Sequence, residues 1–485
     1  MEWMLLHRNT FFYFFAAFLL LLIVFFQDQI ALLAILALAL SALAIVMLHG
    51  QKQLFLFFVI TLPFSFDVEI TPGSNLAIFS EPLSLLFTPL LGILLWQRRN
   101  SSRLFRNPLF WASLCFILPI ISAGFFSSLP LVSLKFIVIN LVYWIAGCLL
   151  TFILLEDGTI RVKELITALL TGLTFIALYA YGNYAWMGFI PDSNSALSRP
   201  FFKDHTIFSA TLAMILPLGF FLFAEAKEKR KKRLWLAWII LILLTIFVSS
   251  SRAAWVSVLL AAVLFFFIRS GLRLYQLVFF LLLLTSLIML NSQSIESFVL
   301  SNRNDSNRFQ SSLREQALSV TNVTNDVSNL ERINRWKCAL RMGRDKPFTG
   351  YGPGTYQFMY LPYQLNSEMT RISVQSQFFV KEGKGGTAHS EYLLSLSEGG
   401  FPALLGWLLF ISVLFFQAFQ FLFRSENKSR KYLVSLMLTG LSTYFIHGFF
   451  NNFLNTINFG VYFWMLVSLL MYIVSKKEEN ASPVE

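Results

Sequence analysis

Residues 387–410, TAHSEYLLSLSEGGFPALLGWLLF, place a histidine, His389, where a long polar segment gives way to an apolar run that can enter a bilayer. Thr387 is positioned to cap a helix through Ser397, which Gly399, Gly400 and Pro402 would end. On such a helix His389, Leu393 and Leu396 share one face, and Glu391, Ser395 and Glu398 share another. His389 reads either as a general base or as a hydrogen-bonded histidine of the membrane interface. An ordinary imidazole pKa of about 6.5 leaves it neutral and able to accept a proton near pH 7. His49, His205 and His447 have no comparable surroundings and read as structural.

The rest of the chain supplies the setting. Of 485 residues, 56% are hydrophobic and 13% charged, and phenylalanine alone accounts for 54. That balance belongs in a lipid bilayer and excludes a soluble domain. The net charge of +12 does not indicate a nucleic-acid partner, because the basic residues cluster in short loops between apolar runs. Two of the three cysteines, Cys115 and Cys148, lie inside apolar runs, so neither a disulfide nor a metal site is expected. His7 and Arg8 precede an apolar run without an A-x-A cleavage pattern, which reads as an uncleaved first span.

Seven apolar runs, at 11–26, 30–48, 54–66, 82–96, 108–126, 134–155 and 165–186, are followed by seven more at 207–223, 234–248, 253–268, 274–290, 402–423, 432–450 and 457–474. Several fall short of the roughly 20 residues needed to cross ~30 Å of hydrocarbon, so a pair could be re-entrant. The expected fold is an all-α integral membrane protein, a bundle of 12–14 transmembrane helices with one large periplasmic loop domain. Its parts are a first bundle over 1–290, the loop over 291–398, the last spans over 399–475 and a tail over 476–485.

Alternating the loops between two sides puts nearly all the lysines and arginines of short loops on one side, including Arg98, Arg99, Arg103, Arg106 and the 227–233 and 424–431 segments. The other side holds only Lys135, Arg199, Lys203 and Arg252. By the positive-inside rule both termini are cytoplasmic and the 291–398 loop lies outside, in the periplasm of a bacterium. Arg199 and Arg252 break that rule. Each reads either as a residue contacting headgroups or capping a helix, or as part of a site.

Within the outer loop, Leu330, Ile333, Trp336 and Leu340 recur at helical spacing and predict an amphipathic helix lying on the membrane or the bundle. KPFTGYGPG, residues 346–354, then forces turns; its glycines serve either a tight turn or a close approach of backbone to a ligand. Residues 356–377 show no clear period.

The apolar runs hold almost no ionisable residue at mid-depth, which weighs against a proton- or ion-coupled transporter or polysaccharide flippase. Charged groups gather instead near the outer face, where an enzyme acting on a lipid-linked substrate needs them. Arginine suits a diphosphate, since its planar fork gives two parallel charge-assisted hydrogen bonds and keeps its charge. Arg252, in SSSRAAW, is fixed near the outer surface by the short link between two spans. Arg199, in SRPFFKDH, sits at equivalent height beside Lys203 and His205.

In order, the chain offers Arg199 before a span, SSSRAAW at 249–255, R-x-x-x-W from Arg332 to Trp336, KPFTGYGPGTY at 346–356 and AHSEYLLSLSEGG at 388–400. This series, over roughly 199–423, resembles the O-antigen ligase and O-antigen polymerase superfamily of bacterial polysaccharide assembly. The resemblance implies a GT-C-like inner-membrane glycosyltransferase with its active site facing the periplasm, working without metal or cofactor and with inversion. Its donor would be a glycan on undecaprenyl diphosphate, and its acceptor either the lipid A core of lipopolysaccharide or another glycan. It implies His389 as the catalytic base and Arg199 and Arg252 as the diphosphate clamp. Arg332, Lys203 and Glu398 are supporting candidates. The acceptor separates ligase from repeat-unit polymerase, and the donor clamp would look alike in both.

Overall fold

The computed structural model describes residues 50–71, 74–78, 80–97, 103–189, 197–271, 327–380 and 385–476, with scattered positions between 275 and 286. The expected spans at 11–26 and 30–48, most of 274–290, His49 and the start of the outer loop lie outside the described residues.

Helices form where the apolar runs predict them. Helix α1 is Gln51–Thr61, followed by a hairpin of β1 Phe66–Thr71 and β2 Ser74–Ile78, then α2 Ser80–Gln97 and α3 Pro108–Phe125. Helix α4, Pro130–Glu156, contains a π-helical stretch at Ile145–Leu150. Then come α5 Val162–Trp186, α6 His205–Glu225, α7 Lys229–Val248 and α8 Arg252–Arg269. The loop contributes α9 Val327–Asp345, α10 Tyr356–Met359 and α11 Arg371–Gln377, and the chain continues through α12 Glu391–Arg424, α13 Lys428–His447 and α14 Ile457–Ser475.

Among the described residues, seven helices (α3, α4, α5, α6, α8, α12 and α14) are long and apolar enough to cross a membrane. Two runs behave differently from expectation. The 54–66 run yields only the 11 residues of α1, about 16 Å at 1.5 Å per residue, because Pro63 opens a 3-10 turn at Leu62–Phe64. The chain then leaves helical geometry for the antiparallel hairpin, with Phe66 opposite Ile78 and Val68 opposite Leu76, so among the described residues the all-α description needs that one exception. Helix α12, by contrast, has 34 residues, about 50 Å, which is longer than the hydrocarbon layer. Gly400, at φ 68° and ψ −171°, breaks it into a first limb in the loop region and a second limb for the bilayer.

Helix α14 is apolar on every side and forms the centre of the bundle, its residues from Ile457 to Ile473 all buried. Helices α3 and α12 pack closely because Gly406 lets the backbone of α12 reach Cys115 and Phe116, where a Cβ would collide with a main-chain carbonyl. Leu118 and Phe125 of α3, and Leu259 and Phe266 of α8, stay exposed on the outside, as lipid-facing side chains do.

Ion pairs gather the basic loops at one end of the bundle. Arg103 meets Glu156 at 2.9 Å, Lys163 meets Glu225 at 3.2 Å, and Ser429 donates to the same Glu225 at 2.8 Å. The helix ends bearing Lys135, Arg199, Arg252 and His389 lie at the other end. There the loop forms its own small core from Cys338, Ala339, Met342, Tyr351, Tyr356, Tyr360, Val380, Ala388 and Leu394, seated on the first limb of α12.

Helix α9 forms as predicted, and the face it turns to the protein carries its polar pairs. Glu331, Asn334, Arg335, Cys338, Ala339 and Met342 are buried, while Leu340 is 41% exposed. The reason is polar pairing: Arg335 Nε donates to Glu331 Oε1 at 2.7 Å, and Asn334 Nδ2 donates to Ser373 Oγ of α11 at 2.8 Å. Satisfied in this way, the polar stripe can face the protein.

Candidate active site

The expected helix from Thr387 does not form there. Helix α12 begins at Glu391 with Ser390 as its N-cap, and His389 stands just before it at φ 50°. Left-handed backbone is uncommon for a residue with a side chain and persists only where surrounding contacts enforce it. Here they do. The His389 N–H donates to Thr387 Oγ1 at 3.3 Å, and its carbonyl accepts from Trp336 Nε1 at 3.1 Å. Thr387 Oγ1 donates in turn to Asn452 Oδ1 at 2.6 Å, and the Glu391 N–H donates to the Gly448 carbonyl at 2.8 Å. His389 is thus clamped between α9 and the segment that follows α13.

Burial, reinforced by the positive charges of Arg332 and Arg335, holds the His389 imidazole down at about 4; Glu331 and a hydrogen bond with the Asn451 side chain act the other way. The ring is therefore neutral at pH 7. Asn451 Nδ2 also lies 3.0 Å from Nε2 of His447, whose side chain is buried. His447, expected to be structural, is one hydrogen-bonded residue away from the candidate base. The signal for this in the sequence is the H-x-x-x-N spacing from His447 to Asn451 at the end of a span.

Glu398 faces the glycine loop. Its Oε1 accepts from the Tyr356 N–H at 2.9 Å and its Oε2 from the Gly354 N–H at 2.8 Å, while its carbonyl accepts from Gly352 at 2.9 Å. Gly352, at φ 101°, has no room for a Cβ beside Ser127 and Ser133. The glycines thus allow the loop to approach protein. Arg332 sits on α9 close enough to act electrostatically on both His389 and His447.

Beside this junction opens a cleft of about 600 Å3, lined by Lys135, Arg199 and Lys203 together with Glu81, Asn455 and Asn458. Three of the four basic residues that the sequence count assigns to the sparsely charged side thus share one cavity. Asn458 Nδ2 ties its wall by donating to the carbonyls of Phe201, at 2.6 Å, and Ser65, at 3.0 Å. Asp204 caps α6 by accepting from the Thr206 N–H at 2.8 Å. Although burial pushes the Asp204 carboxyl up, the adjoining His205 ring at 3.0 Å and the Thr206 N–H outweigh it and bring it to about 2.

Arg252 opens α8 at the same end, after Ser250 at φ 56° and a hydrogen bond from Ser249 Oγ to Ser209 Oγ of 3.0 Å. It is not part of the cleft lining. Nor is His389, but the 448–456 segment joins the two regions: Gly448 and Asn452 accept from Glu391 and Thr387 on either side of the histidine, and Asn455 lines the cleft.

Residues 237–408 match the protein-family model described as O-antigen ligase. The matched span runs from α7 through Arg252, α9, the glycine loop and His389 into the second limb of α12; Arg199, Lys203 and His447 fall outside it. No curated protein matches the chain. The apolar helices mark a multi-pass helical membrane protein, and over 237–408 that protein carries a domain similar to the O-antigen ligases, the family whose motifs the sequence resembles.

Proposed function

We propose that this protein is a periplasm-facing glycosyltransferase of the O-antigen ligase type, which moves a glycan from undecaprenyl diphosphate to an acceptor sugar hydroxyl with inversion. The observation that carries this reading is the gathering of Lys135, Arg199 and Lys203 in one cleft, joined by a nine-residue segment to a neutral, tightly held histidine.

In this reading the donor diphosphate lies against the cleft cations, with Arg252 approaching from α8. The acceptor oxygen attacks the anomeric carbon from the face opposite the diphosphate, and its proton passes to His389. As the new bond forms, the anomeric carbon–oxygen bond to the diphosphate breaks and undecaprenyl diphosphate leaves with the electron pair. Negative charge grows on that leaving group, so fixed cations stabilise the transition state more than the bound donor. Arg332 acts through His389, since its charge adds to burial in keeping the imidazole free of a resting proton.

Glycan profiling of a deletion strain tests the acceptor. A ligase-null strain retains long chains on the lipid carrier, and finding them still joined to the lipid A core would overturn the ligase reading.

A further inference from the structure

We propose that Asn455 is a binding residue for the sugar being transferred: its amide takes hydroxyl groups of that sugar where the cationic cleft meets a second cavity on the other side of α4. This rests on the reading of the protein as a glycosyltransferase.

Helix α4 is the partition. Lys135, Ile139 and Tyr143, about one turn apart, face the cleft, while Phe136 and Asn140 line the second cavity together with Phe116 of α3. Asn455, in the segment that leads into α14, lines both. The second cavity holds about 60 Å3, which admits a hydroxyl-bearing edge of a sugar, whereas the ring itself has room in the larger cleft. Besides Asn455, its polar groups include Asn140, Ser395 and the carboxyl groups of Glu391 and Glu398, and no lysine or arginine is among the described residues that line it. A diphosphate is therefore drawn to the cleft and a neutral hydroxyl to the cavity. Glu391 follows His389 by two residues, so the cavity borders the stretch that carries the candidate base. A sugar held at Asn455 then has the cleft cations on one side and that stretch on the other, the order that displacement with inversion requires.

The hydrogen bonds single out this asparagine. Residues 451–458, NNFLNTIN, contain four of them. Three spend an amide atom on the protein: Asn451 Nδ2 lies 3.0 Å from His447 Nε2, Asn452 Oδ1 accepts from Thr387 at 2.6 Å, and Asn458 Nδ2 donates to the carbonyls of Ser65 and Phe201. Among the described residues the half-buried Asn455 side chain has no hydrogen-bond partner. Its main chain is nonetheless fixed on both sides. The Phe453 N–H donates to Glu391 Oε2 at 3.2 Å, and Thr456 Oγ1 donates to the Phe453 carbonyl at 2.7 Å. A held backbone thus presents an amide with two N–H donors and an acceptor oxygen, which a hydroxyl group, itself donor and acceptor, can satisfy.

The test is equilibrium binding to the full-length protein in lipid vesicles with two probes: undecaprenyl diphosphate carrying the bacterium's own glycan, and undecaprenyl diphosphate alone. Asn455→Ala is expected to weaken the first by about three- to tenfold, the worth of a neutral hydrogen bond, and to leave the second unchanged. Because this amide holds nothing among the described residues, Asn455→Ala should unfold at the wild-type temperature, whereas Asn458→Ala, which releases the Ser65 and Phe201 carbonyls, should unfold lower. A merely structural role would not separate the two probes. Wild-type affinity of Asn455→Ala for the glycan-bearing probe overturns the proposal, as does equal weakening of both probes or a fall in unfolding temperature matching that of Asn458→Ala. Binding needs no turnover. An Asn455-dependent preference for the glycan-bearing probe in a protein that transfers no glycan would overturn the transferase reading alone.

Discussion

Trp336 Nε1 donates to the backbone carbonyl of His389 at 3.1 Å, joining two sequence motifs that stand 53 residues apart. The indole is the last residue of R-x-x-x-W, and the carbonyl belongs to a residue in left-handed backbone geometry. Arg332, at the start of the same motif, lies one helical turn earlier on α9 and faces the imidazole electrostatically. A single helix therefore both fixes the backbone of the candidate base and sets its charge environment. Trp336→Phe keeps most of the packing and removes the donor. It is expected to cost about 0.5–1.5 kcal/mol of stability and to lower transfer through loss of His389 geometry, read by thermal unfolding beside a kcat measurement.

The pH dependence follows from the depressed His389 value. The folded ring titrates near 4 and the unfolded ring near its ordinary 6.5, so the unfolded state binds the proton more readily between those values. Stability from the neutral ring is complete above pH 6.5 and declines as pH falls towards 4. The acid limb of kcat/KM is expected near pH 4 rather than 6.5. A bound diphosphate offsets Arg332 and Arg335, so the limb of kcat should lie higher than that of kcat/KM. Rate profiles between pH 3.5 and 8 check both statements.

Charge substitutions in the cleft separate binding from catalysis. Lys135→Ala and Lys203→Ala should weaken donor binding, seen as a raised KM and a reduced sensitivity of KM to added salt. Arg199→Lys keeps the charge but loses the planar fork, and is expected to recover only part of the activity lost in Arg199→Ala. Equal activity of Arg199→Ala and the wild type would remove that residue from the account.

The glycine loop offers a stability test independent of the reaction. Glu398→Ala strands the backbone N–H groups of Gly354 and Tyr356, a loss of about 1–3 kcal/mol per buried group left unpaired. Gly352→Ala forces a side chain into left-handed backbone against Ser127. Both variants should make the 346–360 segment more readily cleaved in limited proteolysis.

Much of this architecture is legible from apolar periodicity. The runs at 207–223 and 457–474 correspond to His205–Glu225 and Ile457–Ser475 almost residue for residue, since an unbroken apolar stretch has few other solutions in a bilayer. The failures occur where local signals compete with tertiary contacts. Pro63 cuts a span short, and the buried Arg335–Glu331 pair lets α9 turn a polar stripe to the protein. His389 lies off its helix because Thr387, Trp336 and the 448–456 segment hold it there, and none of these is near in sequence except Thr387. In the same way Lys135, Arg199 and Lys203 can be counted from sequence on the sparsely charged side, while their common cleft emerges only once α4 and α6 are packed.

The most direct measurement is glycan transfer by the purified protein in vesicles, with a donor carried on undecaprenyl diphosphate and an acceptor glycan or lipid A core supplied together. The account predicts transfer by the wild type, with His389→Ala slower by about 10²–10⁴ while still binding donor. Transfer by His389→Ala at the wild-type rate would contradict it.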